Sequence, residues 1–280
     1  MGIMANIKGN KAYKLHSAKD YQGALKLYEE AFAEGMDTPR NILAYISLLI
    51  RLGEYQKARD ISVKVQKWPG FAGEQKSQLF CNYAAAVCRL GEVDKGVAVL
   101  ERQAAKQPNG LVYQTLGYLY VVQLEHQPSP DEPAPVKEPE PVDPEDEDAE
   151  DEDEPVEEEP VLTPYELWQQ NVEKAKAFLE QSVDYDDEDS VCLDNLAQFY
   201  YRVLKDKVTA KEYFEKAAAI KETQIDTQWF LSRYDVEAGD NAAAIKRLKI
   251  ILSGSFSALN FVTKADVEDE IRRLGGNPED

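Results

Sequence analysis

The sequence predicts an all-α protein built as a solenoid of stacked antiparallel helix pairs. The main observation is a recurring spacing, in which a small or apolar residue of one helix is followed about twelve residues later by Ala or Gly in the next. A repeating unit of about 34 residues is typical of repeats that stack on a shared core. No segment shows the alternating pattern of a β-strand. Five stretches carry the spacing, and the fourth is one residue longer: Ala12 to Ala24, Ile46 to Ala58, Ala84 to Gly96, Ala197 to Ala210 and Ser232 to Ala244.

The first three helix pairs follow one another directly. In the first pair, Ala24, Tyr28 and Ala31 stand at positions i, i+4 and i+7, on one face of a helix. Gly53 and Gly91 mark the turns of the second and third pairs, because Gly takes the left-handed conformation after a helix at low cost. These pairs cover residues 10–35, 42–67 and 78–107.

The fourth pair is interrupted by an insertion. Its first helix fades near Leu124, and helix resumes at Tyr165, with Ala175 and Leu179 matching the missing second helix. Residues 128–164 between them are rich in Pro, Glu and Asp and almost free of large apolar side chains. Such a segment buries too little surface to offset the entropy of ordering it, so we expect it to be disordered.

Two further pairs and a final helix complete the chain. The last helix, near residues 263–274, is charged and is expected to cap the end of the solenoid, which needs a polar surface there. The predicted domains are N-terminal repeats in residues 1–127, the acidic insertion in 128–164, C-terminal repeats in 165–255, and a capping helix and tail in 256–280.

The negative charge is concentrated in the insertion. The chain has 280 residues and a formal net charge of −20. Between Asp131 and Glu159 there are 17 acidic residues and one lysine, Lys137, a net charge of −16, so the rest carries −4. The acidic field therefore belongs to one arm of the chain rather than to the repeats.

These residues resemble the tetratricopeptide repeat (TPR) over most of residues 8–255, with about six repeats and the fourth interrupted. The resemblance implies a right-handed superhelical solenoid whose inner groove is lined by the first helix of each pair. Three positions depart from the pattern: Gly96 replaces the usual Ala, Ser62 the usual aromatic residue, and the turn at Lys205 lacks its Gly. The best-matched stretches are GEYQKA at residues 53–58, ALKLYEEA at 24–31 and AKEYFEKA at 210–217.

The family resemblance also implies which side chains face the groove, namely those one and five residues after the small reference residue. Arginine pairs bidentately with carboxylates, and aromatic residues anchor interfaces. We therefore expect the groove to bind a partner peptide or helix, with an acidic or C-terminal-carboxylate peptide as one form of ligand. The alternative is that the five-residue offset is a half-exposed helix end whose basic residues favour the helix dipole. The candidate peptide-binding residues are Tyr13, Ser47, Arg51, Arg89, Tyr118, Tyr201, Arg202, Trp229 and Arg233.

No catalytic or metal-binding motif is found. The sequence has no Gly-rich phosphate loop, and His16 and His126 lie outside metal-ligand spacing of a Cys or another His. The acidic run lacks the Gly that a calcium loop needs for its bend. We therefore expect no enzyme activity, no metal and no cofactor.

The sequence also predicts a cellular location. Three cysteines do not form a disulfide framework, and reduced thiols fit a cytosolic protein. The N-terminus lacks an apolar core of signal-peptide length, and no stretch approaches the roughly 20 apolar residues that span a bilayer. The expected location is the cytoplasm, without membrane association.

The leading functional interpretation is a non-catalytic scaffold or adaptor for protein–protein interaction, with a groove that the acidic arm gates. The alternative is a chaperone-like shield that holds basic proteins through the arm. Direct nucleic-acid binding is disfavoured, because a charge of −16 repels phosphates. Self-association is a further expectation, for which Tyr165 and Trp168 are candidates.

Overall fold

The computed structural model describes residues 2–133 and 161–279, and in these ranges the protein is helical, without β-strands. The prediction of an all-α solenoid is confirmed. The described residues form thirteen α-helices: α1 (Ile3–Ser17), α2 (Tyr21–Ala33), α3 (Pro39–Arg51), α4 (Tyr55–Val65), α5 (Gly73–Arg89), α6 (Val93–Lys106), α7 (Gly110–Leu124), α8 (Pro164–Tyr185), α9 (Ser190–Gln198), α10 (Lys207–Ile220), α11 (Ile225–Glu237), α12 (Asn241–Leu252) and α13 (Lys264–Arg273).

The helices pack as two layers. The first helices of successive pairs, α1, α3, α5, α7 and α9, lie side by side in that order, and each second helix from α2 to α10 packs between the first helix before it and the one after it. This arrangement is a solenoid whose inner layer consists of first helices. The repeated small or apolar residues lie at the contacts and are fully buried: Ala12, Ala24, Ile46, Ala58, Ala84, Ala197, Ala210, Ser232 and Ala244.

The turns within pairs use a left-handed residue. Gly53, Gly91 and Gly239 have φ of 81°, 78° and 79°. Lys19 and Lys205 take the same conformation, with φ of 64° and 59°, although a side chain makes it costly. The turn at Lys205 therefore keeps the geometry of the others without the glycine that the pattern usually supplies.

The thirteen-residue spacing of the fifth pair has a local cause. Residues Phe199–Val203, directly after α9, form a π-helical turn, in which the Leu204 amide donates to the Phe199 carbonyl at 3.1 Å. A π turn accommodates one residue more than an α-helical turn. The extra residue between Ala197 and Ala210 is thus absorbed at the end of α9, and both alanines remain buried.

The two other departures from the repeat pattern also have packing reasons. A Cβ at Gly96 would lie 2.7 Å from Leu119 Cδ2, so α6 and α7 approach too closely there for alanine. Ser62 is buried and its hydroxyl donates to the Ala58 carbonyl at 2.8 Å. Where the usual aromatic ring is missing, a cavity of about 90 Å³ lies between Ser62, Leu79 and neighbouring side chains.

Helices α7 and α8 form one pair although a long insertion separates them in sequence. Trp168 on α8 donates its indole N–H to the Leu124 carbonyl at 3.0 Å, and a Cβ at Gly117 would lie 3.0 Å from Leu179 Cδ2. The insertion leaves after α7 and returns at Thr163, which caps α8 together with Glu166. Most of the acidic segment, residues 134–160, lies outside the described residues. The predictions that it is disordered, gates the groove or shields basic proteins therefore fall on residues that the structure does not describe.

The last helix closes the C-terminal end of the solenoid. Thr263 caps the N-terminus of α13, as Thr163 caps α8, and its hydroxyl accepts from the Asp266 amide at 3.2 Å. Val267 and Ile271 of α13 are fully buried in an apolar cluster with Leu248 and Ile251 of α12. The connection from α12 to α13 does not follow the outer surface. It turns back over the inner layer of first helices.

Candidate functional site

The N-terminal half of the inner surface is open. Tyr13 on α1 is 36% exposed, and Ser47 and Arg51 of α3 are exposed. Ser47 and Arg51 share one face of α3 with Arg40, whose guanidinium lies 4.8 Å from the centre of the Tyr13 ring. Arg51 lies 5.5 Å from the ring centre of Tyr21, and among the described residues it pairs with no carboxylate. This half therefore offers accessible cationic and aromatic side chains.

The C-terminal half of the inner surface is occupied by the chain itself. Residues Ser257–Val262, here called the groove segment, cross α5, α7, the π turn and α11. Arg89 of α5 donates through Nε to the Ala258 carbonyl and through Nη2 to the Asn260 carbonyl at 3.0 Å. The hydroxyl of Tyr118 on α7 is 3.5 Å from the same Asn260 carbonyl. Two of the predicted groove residues thus hold the backbone of a peptide segment.

The groove segment forms a turn that Asn260 stabilises. The Asn260 amide donates to the Ser257 carbonyl at 3.2 Å, and the Ser257 amide donates to Asn260 Oδ1 at 2.7 Å. The side-chain nitrogen of Asn260, Nδ2, donates to Asp226 Oδ2 on α11 at 3.2 Å. Asp226 Oδ1 accepts from the Phe261 amide at 3.0 Å. Asn260 therefore links the turn to the wall of the groove.

Arg202 lies under the next residue of the segment. Its guanidinium carbon is 4.4 Å from the ring centre of Phe261, and the Phe230 ring centre is 5.0 Å from that of Phe261. Arg202 is buried, pairs with Glu125 at the end of α7, and donates to Gln198 Oε1 at 2.7 Å. Its charge is consequently compensated within the chain, and its face serves as an aromatic platform.

Two buried carboxylates lie behind the groove segment. Asp194 on α9 accepts from Gln198 Nε2 at 2.7 Å and from the Thr227 hydroxyl. Burial raises the pKa of Asp194 to about 7, and the nearby charge of Asp226 acts in the same direction. Burial likewise raises the pKa of Asp226 to about 6, although the donors from Phe261 and Asn260 oppose this. Both residues line a cavity of about 390 Å³ between the segment and α7, α9 and α11.

The remaining predicted residues lie near the C-terminal end. Arg233 pairs with Glu270 of α13 at 2.6 Å, and its guanidinium lies 4.2 Å from the ring centre of the half-buried Trp229. Tyr201 is half-buried, with its ring centre 5.0 Å from that of Phe230. Arg233 and Trp229 thus join α11 to the closing helix, while Tyr201 packs against α11 itself.

The four arginines among the predicted groove residues differ in whether they are already bonded within the chain. Arg89, Arg202 and Arg233 bond to oxygens of the chain itself, and Arg51 is the one of the four that does not, among the described residues. For Arg89 the partners lie in residues 253–263, a loop whose sequence has no periodicity to indicate where it packs, whereas Arg202 pairs with Glu125 at the end of α7 and Arg233 with Glu270 of α13. The sequence analysis does not identify Asp194 and Asp226 as site residues. The one indication in the sequence is that each is an acidic residue at a position that the helical pattern buries.

Other kinds of site find no support in the described part of the chain. No three His, Cys, Asp or Glu side chains come together there as a metal site. The three cysteines are free, and burial raises the pKa of Cys81 to about 11, which disfavours the reactive thiolate. Within residues 2–133 and 161–279, no helix combines the length and apolarity needed to cross a membrane.

Comparisons with known proteins agree on the fold. No protein-family model matches the sequence, and a search of curated proteins finds no match. Among solved structures, TTC0263, a thermophilic TPR protein in Thermus thermophilus, is 16% identical over 84% of this chain and 98% of its own, with a TM-score of 0.57. PilW, a widely conserved type IV pilus biogenesis factor, is 15% identical over 91% of this chain and 94% of its own, with a TM-score of 0.56.

A third neighbour is a larger protein. IFIT1, solved as a monomeric mutant with m7Gppp-AAAA, is 16% identical over 96% of this chain and 54% of its own, with a TM-score of 0.55. At these identities the likeness establishes the fold alone. The chain has a TPR-like helical repeat fold, as the sequence pattern predicted.

Proposed function

We propose that the protein is a non-catalytic adaptor that binds a segment of a partner protein on its inner surface. The observation that carries this proposal is the groove segment itself. Arg89, Tyr118 and Asp226 bond to main-chain atoms of the segment, and every peptide presents such atoms. A surface that holds one turn of peptide in this way is suited to hold another.

The open half supplies the rest of the binding surface. Tyr13, Arg40 and Arg51 are side chains of the kinds that contribute most to interfaces, and none of them is covered by the groove segment. A carboxylate of the partner, in an acidic side chain or at a C-terminus, fits the guanidinium of Arg51. A partner segment would therefore extend from the open half towards the occupied half.

A protein ligand is favoured over catalysis or nucleic acid. Among the titratable groups that line the cavity, the carboxylates of Asp194 and Asp226 each already accept donors from within the chain at both of their oxygens. IFIT1 shows that a neighbour of this fold holds a capped oligonucleotide. Here the charge of −16 in residues 131–159 opposes phosphate binding.

The test locates the partner on the surface. A photo-crosslinking residue at Ser47, exposed on the inner layer, is compared with one at Val63, which is 48% exposed on α4. We expect a partner that is captured from Ser47 and not from Val63.

The captured protein is then purified and its affinity measured. Tyr13→Ala with Arg51→Glu should weaken binding at least about tenfold, because interface aromatic and arginine residues dominate affinity. Lys67→Glu makes the same charge change at an exposed position after α4 and should leave the Kd unchanged. Equal capture at both positions, or a Kd insensitive to the groove variant, contradicts the proposal.

A further inference from the structure

We propose that the partner segment carries the pattern of residues 257–261, Ser-x-Leu-Asn followed by an aromatic residue, and binds in place of the groove segment. The inference rests on the proposed adaptor function and adds the chemistry that the occupied half of the groove selects. It follows from dividing the contacts of the groove segment into those that any peptide can make and those that need a particular side chain.

The contacts from Arg89 fix the path of the backbone. Both acceptors, at Ala258 and Asn260, are main-chain carbonyls, so these contacts do not select a side chain. Arg89 is itself exposed, and its charge makes each bond stronger than one between neutral groups. The arginine therefore sets where a ligand lies and in which direction it runs.

The Asn position carries the polar selectivity. Oδ1 of Asn260 accepts from Ser257 within the turn, while Nδ2 donates to Asp226. An aspartate at this position would place a second carboxylate against the buried Asp226. Alanine would leave Asp226 Oδ2 without its donor, and a buried oxygen that lacks a hydrogen bond is costly. Among similar side chains, the amide of Asn supplies both the acceptor and the donor.

The neighbouring positions carry the apolar selectivity. Leu259 packs against two of the core clusters, the one around α1 to α5 and the one around α5 to α9. Phe261 lies on the guanidinium of Arg202 and beside Phe230, with 40% of its surface still exposed. A flat side chain gains the cation–π contact that an aliphatic one cannot make.

The groove segment is able to leave without the closing helix. Residues 253–263 are a loop, whereas α13 is held independently by Arg233 and by the burial of Val267 and Ile271. Because both ends of the loop are tethered, the segment competes at a high effective concentration. An external ligand with the same pattern therefore binds the intact protein weakly, and more tightly once the tethered segment is weakened.

The experiment uses the full chain with Asn260→Ala and Phe261→Ala, which remove the selective contacts of the tethered segment and leave the groove residues unchanged. The probe is a fluorescent peptide of residues 255–264, SFSALNFVTK, and the matched control peptide is SFSALAAVTK. The probe should bind this variant at least about tenfold more tightly than it binds the wild type, because the competition is reduced. The control peptide should bind at least about tenfold more weakly than the probe.

Two groove substitutions, made in the same variant, test the location. Arg89→Ala changes an exposed side chain, and Asp226→Asn presents a donor where the probe needs an acceptor, so each should weaken probe binding several-fold. Circular dichroism and thermal unfolding verify that each variant is folded. Equal affinity for the two peptides, or probe binding insensitive to both groove substitutions in folded protein, overturns the inference. A partner captured at Ser47 that lacks the pattern, together with an unbound probe, overturns this inference and leaves the adaptor function standing.

Discussion

Arg233 on α11 and Glu270 on α13 form an ion pair of 2.6 Å, which joins the closing helix to α11, the first helix of the sixth pair. Arg273 also pairs with Glu270 at 2.6 Å, and together the two arginines lower the pKa of that carboxyl, with the Arg273 bond as the larger cause. The side chain of Glu270 is only 10% exposed, so the pair lies where water screens it little.

Glu270→Gln should therefore destabilise the fold. We expect a loss of about 1–2 kcal/mol in the free energy of unfolding, since half-buried Arg233 loses its charged partner. Urea unfolding measures it. Glu268→Gln is the matched control, because Glu268 forms longer surface pairs with Lys264 and Arg272 and its loss should cost less than about 0.5 kcal/mol. Equal losses in the two variants would show that the closing helix does not depend on this pair.

Lys19→Gly should stabilise the protein. Lys19 has a φ of 64°, and replacing it with glycine relieves that strain while adding chain entropy to the unfolded state. The balance is a gain of about 0.5–1 kcal/mol in the free energy of unfolding, measured by urea titration. Lys11→Gly, at an exposed position inside α1, should instead cost about 1 kcal/mol. A loss at Lys19 would mean that the lysine side chain contributes more than its backbone costs.

Gly96→Ala should destabilise the protein although alanine favours helix. The added Cβ would lie 2.7 Å from Leu119 Cδ2 and 3.3 Å from the Ala84 carbonyl oxygen, in a core that cannot easily yield. Overpacking outweighs the gain in propensity, for a net loss of about 1–2 kcal/mol. Thermal unfolding provides the measurement. Gly110→Ala, where nothing lies within 4 Å of the added atom, should have little effect.

The two buried aspartates should make stability fall as the pH rises. Their pKa values, raised to about 7 and about 6, exceed that of an unfolded aspartate, so the folded state binds more protons between about pH 4 and 7. By linkage their contribution is largest at low pH and is lost as the pH rises through this window. His16, whose pKa burial lowers, acts in the opposite direction.

Asp194→Asn isolates this contribution. Asn can accept from Gln198 and donate to the Thr227 hydroxyl, so it preserves the contacts without the charge. The difference in unfolding free energy between about pH 5.5 and about pH 7.5 should shift by an amount on the order of 1–3 kcal/mol relative to wild type. Parallel pH profiles for the two proteins would argue against a buried charge at this position.

The fold was predictable because its information is periodic. The spacing from Ala12 to Ala24 and its counterparts identified the residues that are fully buried where helices meet. The predicted helix ends also lie close to the observed ones. Helix α7 ends at Leu124, and α8 begins at Pro164, one residue before the expected Tyr165.

The occupied groove was not predictable in the same way. Arg89 and Asn260 are 171 residues apart, and the segment that joins them to Asp226 has no repeat to mark it. The offsets that select Arg89, Tyr118 and Arg202 indicate a surface on the inner helices. What lies on that surface depends on a tertiary contact, which a single sequence does not encode as a local pattern.

The π turn at Phe199–Val203 has a consequence for how a repetitive scaffold becomes specific. One additional residue in a helix rotates everything after it by about 100° relative to a regular continuation. Here the extra residue is taken up within a single turn, so Ala197 and Ala210 on either side stay buried. Arg202 lies in this irregular turn, whereas its counterparts Arg51 and Arg89 end regular α-helices. One extra residue thus breaks the regularity of the array at one helix pair, without displacing the residues at which its helices stack.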